Sequence, residues 1–158
     1  MKKRTDLTVE VEDYKLNIRV GGIIKHKDCI LFHKCKDKPY YALLGGRVEI
    51  GENSEEAIKR EYYEETGREV EIVRYLATIE NFFVEDNQKY HEIDFVYQLE
   101  FKDDKESIEN IENKEGKENL KYVWIPEKEI ENTLILPMTI KEVLKENTYP
   151  IHKINNEI

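Results

Sequence analysis

Glu61, Glu64 and Glu65 stand at i, i+3 and i+4 in the stretch Arg60-Glu61-Tyr62-Tyr63-Glu64-Glu65-Thr66-Gly67. At about 100° per residue, a helix carries all three within an arc roughly a third of the way round. Like charges so placed destabilise a bare helix by a few tenths of a kcal/mol per i,i+4 pair, so another group must offset them. A hard divalent cation, which takes oxygen ligands, is the natural candidate. Arg60 lies four residues before Glu64 and can pair with it, holding its rotamer. The alternative is a solvated acidic face with no chemistry. A cation held there can activate water. Glu52 adds a fourth carboxylate to the set. Crowded together without a cation, such groups have raised pKa values; a bound cation keeps them ionised as ligands.

These side chains need a strand, a turn and a helix to place them. Tyr40, Ala42, Leu43 and Leu44 form the apolar strand, and Gly45-Gly46 lead out of it toward Glu52. Asn53 can cap the helix that follows, and Glu56, three residues on, completes a capping box. Ala57, Ile58 and Tyr62 make its apolar stripe, which lies beside the acidic face rather than opposite it. The carboxylates therefore belong at a rim, partly shielded from water, where cation binding is strengthened. Gly67 suits the left-handed position that ends a helix.

The ungapped spacing runs Gly46, five residues, Glu52, seven residues, Arg60-Glu61, two residues, Glu64-Glu65, one residue, Gly67. It resembles the signature of the Nudix hydrolases. Three positions depart from that pattern: Tyr62 and Arg68 stand where the family has aliphatic residues, and Leu44 where many members have proline. Tyr62 can still fill a core position, burial can pass from position 68 to Val70, and none of the seven chemical positions is altered.

The resemblance implies an α/β/α sandwich with a mixed β-sheet; the sequence by itself gives α+β, a mixed sheet between helices. It also implies cleavage of a diphosphate bond in a nucleoside diphosphate linked to another moiety (nucleotide, nucleotide sugar, ADP-ribose or dNTP type). The cofactor implied is Mg²⁺, with Mn²⁺ able to substitute. Glu61, Glu64 and Glu65 are then metal ligands, Glu52 a further carboxylate of the metal site, and Arg60 a supporting catalytic residue. Backbone at Gly45 and Gly46 shapes the site. The general base is open between a helix glutamate and Glu118, six residues before Trp124, with Glu112 and Glu115 as alternatives. Dimers are common among relatives. The competing class is a nucleotide-sensing module without catalysis, but such modules lose motif glutamates and this chain keeps them. An RNA-decapping activity fits poorly with the acidic balance, and the ungapped motif argues against isoprenoid diphosphate isomerisation.

The remaining chain reads as one domain over 1–158, with 1–13 a loose arm or an edge strand and 147–158 a poorly ordered tail. Leu16, Ile18 and Val20 alternate with Asn17 and Arg19, the period of a half-buried strand. Gly21-Gly22 marks a bulge or close packing. Ile23-Ile24 resumes the strand, Lys27-Asp28 turns it, and Cys29-Ile30-Leu31-Phe32 is its expected hairpin partner. Residues 69–101 read as two strands about a turn at Asp86-Asn87-Gln88. Phe82, Phe83, Tyr90, His91 and Tyr97 there are candidates to stack on a base, or else core and cross-strand residues. Residues 102–119 read as a mobile polar loop, Tyr122 to Ile125 as a strand, Pro126 as the start of a short helix and 137–146 as a helix.

The 158 residues are 39% hydrophobic, enough for a real core, and their formal charge of −9 opposes broad nucleic-acid affinity. No apolar run reaches the length of a signal peptide's core or a membrane span. The expectation is a cytoplasmic protein acting on a small nucleotide-type substrate. Cys29 and Cys35, six apart on one strand, are poorly placed for a disulfide, and with His33 alone nearby they read as reduced packing residues.

Overall fold

A computed structural model describes residues 5–102, 111, 114, 116, 117 and 119–158. In chain order they form β1 (Thr8–Val11), β2 (Tyr14–Ile23), β3 (Lys25–His26), β4 (Cys29–Cys35), β5 (Tyr41–Ala42), β6 (Leu44–Arg47), α1 (Ser54–Thr66), β7 (Val70–Glu85), β8 (Gln88–Phe101), β9 (Leu120–Pro126), a 3₁₀ helix (Glu127–Asn132), α2 (Thr139–Lys145) and β10 (Ile151–Asn156).

The alternation in β2 places it inside a six-stranded mixed sheet of order β1-β2-β8-β7-β10, with β6 also on β2. β2 runs parallel to β8, pairing Tyr14 with Lys89 through to Ile23 with Gln98. β7 and β8 form a long antiparallel hairpin, turned by Asp86 (φ 49°) and Asn87 (φ 63°), residue types that tolerate the left-handed region. A second, four-stranded sheet has order β3-β4-β5, with β9 on β4.

Period-two patterning gives the large sheet two apolar faces. On one, Val20, Leu44, Tyr97 and Leu99 pack with Ala57, Ile58 and Tyr62 of α1. On the other, Ile23, Ile79 and Val96 pack with Phe32 of the second sheet and Ile140 and Val143 of α2. The result is the expected α+β sandwich, a mixed sheet between helices. No helix among the described residues is long and apolar enough to cross a membrane.

Several expectations change. The C-terminal segment is not a loose tail: β10 pairs in parallel with β7, Ile151 opposite Ala77 through Asn156 opposite Phe82. Burial alternates along it, with Ile151, Lys153 and Asn155 half-buried and His152, Ile154 and Asn156 exposed, but the residue types do not, which is why the sequence hid it. The N-terminal alternative resolves as an edge strand, β1 on β2. The expected hairpin across Lys27-Asp28 forms, but β4 pairs there with the two-residue β3 rather than with β2, because the chain leaves the large sheet at Ile24 and enters the second one, where β4 also pairs with β5 and β9. Gly21-Gly22 does not bulge: β2 keeps its register, and a Cβ on Gly22 would lie 2.5 Å from both Tyr62 and Leu99, so this is close packing under α1. Gly45 and Gly46 lie within β6 rather than beyond a strand. Cys29 and Cys35 are free thiols. The loop expectation for 102–119 falls largely outside the described residues.

Candidate active site

α1 begins as its sequence dictates. Asn53 accepts a hydrogen bond from the Glu56 backbone N–H at 2.9 Å, and the Glu56 carboxylate accepts from the Asn53 N–H at 3.1 Å. Glu55 and Glu56 sit in the first turn, where the helix dipole favours anions. The helix ends at Gly67 (φ 71°), whose N–H donates to the Tyr63 carbonyl. Tyr62 is fully buried and its hydroxyl donates to the Gly22 carbonyl at 3.0 Å. An aromatic thus occupies an aliphatic position at no polar cost, because its one donor finds a carbonyl. Val70 takes the burial that Arg68 gives up.

Arg60 is the centre of the acidic face, with only 12% of its side chain exposed. Its Nε and one terminal nitrogen bind Glu52 side-on, at 2.7 and 2.9 Å. The other terminal nitrogen donates to Glu61 at 2.9 Å and Glu64 at 3.2 Å, and lies 3.6 Å from Glu49. The guanidinium also donates to the Arg47 carbonyl at 3.0 Å. The Glu52 hydrogen bonds, ahead of Glu61, push its pKa further above the ordinary arginine range despite burial. Glu52 closes the turn as well, accepting from the Glu49 N–H at 3.0 Å. Arg60 therefore ties strand β6, the turn and α1 into one unit.

The glycine positions fit Glu61. A Cβ on Gly46 would lie 2.3–2.5 Å from the Glu61 carboxyl group, so the missing side chain is the space that the carboxylate occupies. A Cβ on Gly45 would lie 1.9 Å from the Val20 carbonyl, which is what lets β6 close on β2. Glu65 is buried, at 6% exposure, while the Glu64 side chain is 42% exposed. The structure thus brings together Glu52, Arg60, Glu61, Glu64, Gly45 and Gly46 as the spacing predicts, with Glu65 on the buried side. Glu118, Glu112 and Glu115 lie outside the described residues. No three His, Cys, Asp or Glu side chains among the described residues already close into a metal cage.

A cavity of about 490 Å³ opens on the opposite face of the large sheet from α1, and Arg47, whose carbonyl Arg60 holds, is the link between the two, lining the cavity. Phe83 and Tyr90 line it and stack face to face across β7 and β8, centroids 4.8 Å apart at 8°. Phe82 and His91 make the same cross-strand pairing one residue away, at 4.3 Å. Tyr97 lies in the core, its hydroxyl sharing a 2.6 Å hydrogen bond with Ser54. Of the five aromatic candidates, Phe83 and Tyr90 face the cavity.

The cavity floor was not singled out from the sequence. Asn17 accepts from Thr8 and donates to Glu92, each at 2.8 Å. Arg19 lies between Glu92 and Asp94. Burial first, then Glu92, raises the Asp94 pKa, against the pull of Arg19. Burial lowers the pKa of His33 to about 4, with Arg19 and Lys117 adding to the effect. The available signal was charge on strands that cannot both face water: Asn17 and Arg19 alternate with the apolar residues of β2, and Glu92 and Asp94 with those of β8.

The NUDIX domain model matches residues 15–146 of this chain. An ADP-ribose pyrophosphatase of Methanocaldococcus jannaschii is 49% identical over 53 residues, 32% of this chain and 31% of that protein. A Bacillus subtilis protein with the provisional name 8-oxo-dGTP diphosphatase is 49% identical over 45 residues, 28% of this chain and 30% of that one. Each match thus spans under a third of the relative's length. The mutator MutT protein of Bacillus halodurans shares the fold, with a TM-score of 0.63, 19% identity and coverage of 86% of this chain and 89% of that one. With the domain model matched over most of its length, this chain belongs to the Nudix family.

Proposed function

We propose that the protein hydrolyses a diphosphate bond in a nucleoside diphosphate linked to a second moiety, with a divalent cation held by the α1 carboxylates. The observation that carries this reading is the gathering of Glu61, Glu64 and Glu52 on one guanidinium, which also holds the carbonyl of Arg47, a residue lining a cavity with a stacked aromatic pair.

The donor set suits a hard cation, being carboxylate oxygens only. The seat left by the Cβ-less Gly46 fits the Glu61 carboxylate beside Arg60. Glu61, Glu64 and Glu65 would hold the cation, and Glu52 would keep Arg60 in place while adding charge to the site. When bound there, the cation supplies charge neutralisation and a polarised water. Mg²⁺ is the ion of choice, with Mn²⁺ able to replace it.

In the reaction, water oxygen attacks one phosphorus in line. A new P–O bond forms, the bond from that phosphorus to the bridging oxygen breaks, and the water proton passes to a general base. The products are a monophosphate and the phosphorylated remainder. Arg60 fixes the rotamers of Glu61 and Glu64, so the ligands need little reorganisation. The apolar and aromatic walls of the cavity receive the nucleoside. The free thiols of Cys29 and Cys35 suit a reducing cytoplasm.

The experiment is formation of nucleoside monophosphate, followed by chromatography, across dNTPs, 8-oxo-dGTP, ADP-ribose, nucleotide sugars and dinucleoside polyphosphates, with Mg²⁺, Mn²⁺ or chelator. Turnover that requires metal and falls on the order of a thousandfold in Glu64→Gln supports the reading. Silence across the panel with intact metal-dependent nucleotide binding makes the protein a sensor instead. In the same assay, a loss below about tenfold in Glu118→Gln removes that residue as general base.

A further inference from the structure

A diphosphate approaching α1 meets carboxylates, and cations must receive it on the cavity side. Two guanidiniums, Arg19 and Arg47, line that side, Arg60 stands on α1, and the three differ in what they already hold. Arg60 donates to Glu52, Glu61, Glu64 and the Arg47 carbonyl. Arg47 donates to the Thr8 hydroxyl at 3.1 Å and faces Asp6 at 3.4 Å. Among the described residues Arg19 has two carboxylates within 4.0 Å, Asp94 at 3.8 Å and Glu92 at 4.0 Å, both beyond hydrogen-bond distance and both approaching through Nε. Among the described residues its two terminal amino groups, with four of its five N–H donors, are engaged by nothing.

The position of Arg19 suits those donors to a ligand. It lines the cavity, and 35% of its side chain is exposed. It pairs across the ladder with Arg47, whose carbonyl Arg60 holds. The charges of Glu61 and Glu65 act on it as well as those of Glu92 and Asp94, so it stands between cavity and helix. Glu92 and Asp94 approach the guanidinium at its Nε, and no hydrogen bond among the described residues takes up its forked end.

We propose that Arg19 is a substrate-binding residue, its two terminal amino groups grasping non-bridging oxygens of the diphosphate where the substrate passes from the α1 carboxylates into the cavity. A guanidinium fork matches two phosphate oxygens at once, which a lysine ammonium does not. The assignment rests on the hydrolase reading for its substrate class, but its test does not need turnover.

The test uses the full chain with Mg²⁺ and methylenediphosphonate, a diphosphate analogue whose carbon bridge cannot be hydrolysed, titrated by calorimetry. Arg19→Met should weaken binding by about tenfold or more, and Arg19→Lys, keeping charge without the fork, by about threefold. With any substrate found in the panel, Arg19→Lys should raise KM by a similar factor and leave kcat nearly unchanged. Affinity of both variants within twofold of wild type, or a wild-type chain that does not bind the diphosphonate, overturns the assignment. Should Arg19→Met fail to fold, Arg19→Lys alone decides by the same criterion. A wild-type chain that binds the diphosphonate through Arg19 yet turns nothing over leaves this assignment standing and removes the hydrolase reading.

Discussion

Arg60 and Arg19 are both guanidiniums set among carboxylates, and they are used in opposite ways. Arg60 is held by residues 47 to 64, with hydrogen bonds of 2.7 to 3.2 Å to three carboxylates and a carbonyl. Arg19 is held across the sheet by Glu92 and Asp94 of β8, at 4.0 and 3.8 Å, with its forked end left over. A saturated cation is scaffold: it orders the groups around it and has nothing left to give a ligand. An unsaturated one in a cavity keeps donors for whatever enters. The difference turns on hydrogen bonds, because charge is near both.

The strongest way to break the comparison is to remove the saturated member. Arg60→Gln leaves Glu52, Glu61 and Glu49 facing one another at low exposure without their common cation. Breaking such a buried network costs about 3–5 kcal/mol, much of it from the charge left behind. Urea denaturation should show that loss together with abolished turnover. Glu52→Gln in the same background should recover part of it, since one uncompensated charge is gone, and a double-mutant cycle reads the coupling. A loss under about 1 kcal/mol, the range of exposed ion pairs, would mean that Arg60 is no scaffold.

A smaller effect separates the carboxylates of the cavity from those of the helix. Asp94 has a raised pKa, mainly through burial, so the folded state prefers its protonated form. Its contribution to stability is therefore full below the ordinary aspartate value of 3.8 and is lost as pH rises through the raised native value. Asp94→Asn removes the ionisation. It should match wild type near pH 4 and exceed it in stability on the order of 1–2 kcal/mol at pH 8. A variant less stable than wild type at pH 8 would show that the Arg19 pairing outweighs burial, and would draw Arg19 closer to the saturated class.

The two guanidiniums also mark what the sequence discloses. Arg60 and its partners lie within one turn and one helix, so fixed spacings carry them; the cap at Asn53, the stop at Gly67 and the rim placement follow from the same local geometry. Tyr62 and Val70 took the core positions that the departures from the family pattern put in question. The floor of Arg19, Asn17, Glu92 and Asp94 depends on the parallel pairing of β2 with β8, between residues more than seventy positions apart, and no local period reports it. The same limit hid β10, whose partner β7 is equally remote, and the pairing of β4 with the distant β9. Alternation told which strands exist and which faces are polar, while pairing decided which polar faces meet.

The finest test is a neighbour that feels the cavity's charge. His33 lines the cavity, and its pKa falls from 6.5 to about 4, chiefly because burial disfavours the charged ring and then because Arg19 and Lys117 repel it. The unfolded chain takes up a proton on this ring as pH drops below about 6.5, while the folded chain resists until about 4. Stability from this group is therefore intact above pH 6.5 and is lost progressively as pH falls toward 4. Near pH 5.5 the loss should be about 1 kcal/mol, one unit of pH at 1.36 kcal/mol per unit. Urea midpoints at pH 7.5 and 5.5 should show it in wild type and not in His33→Gln. Because the Arg19 charge is one of its causes, Arg19→Met should make the loss smaller, whereas Arg60→Lys should not change it. A pH dependence equal in wild type and Arg19→Met would mean that the Arg19 charge is already neutralised by Glu92 and Asp94, and the contrast with Arg60 would be one of hydrogen bonding alone.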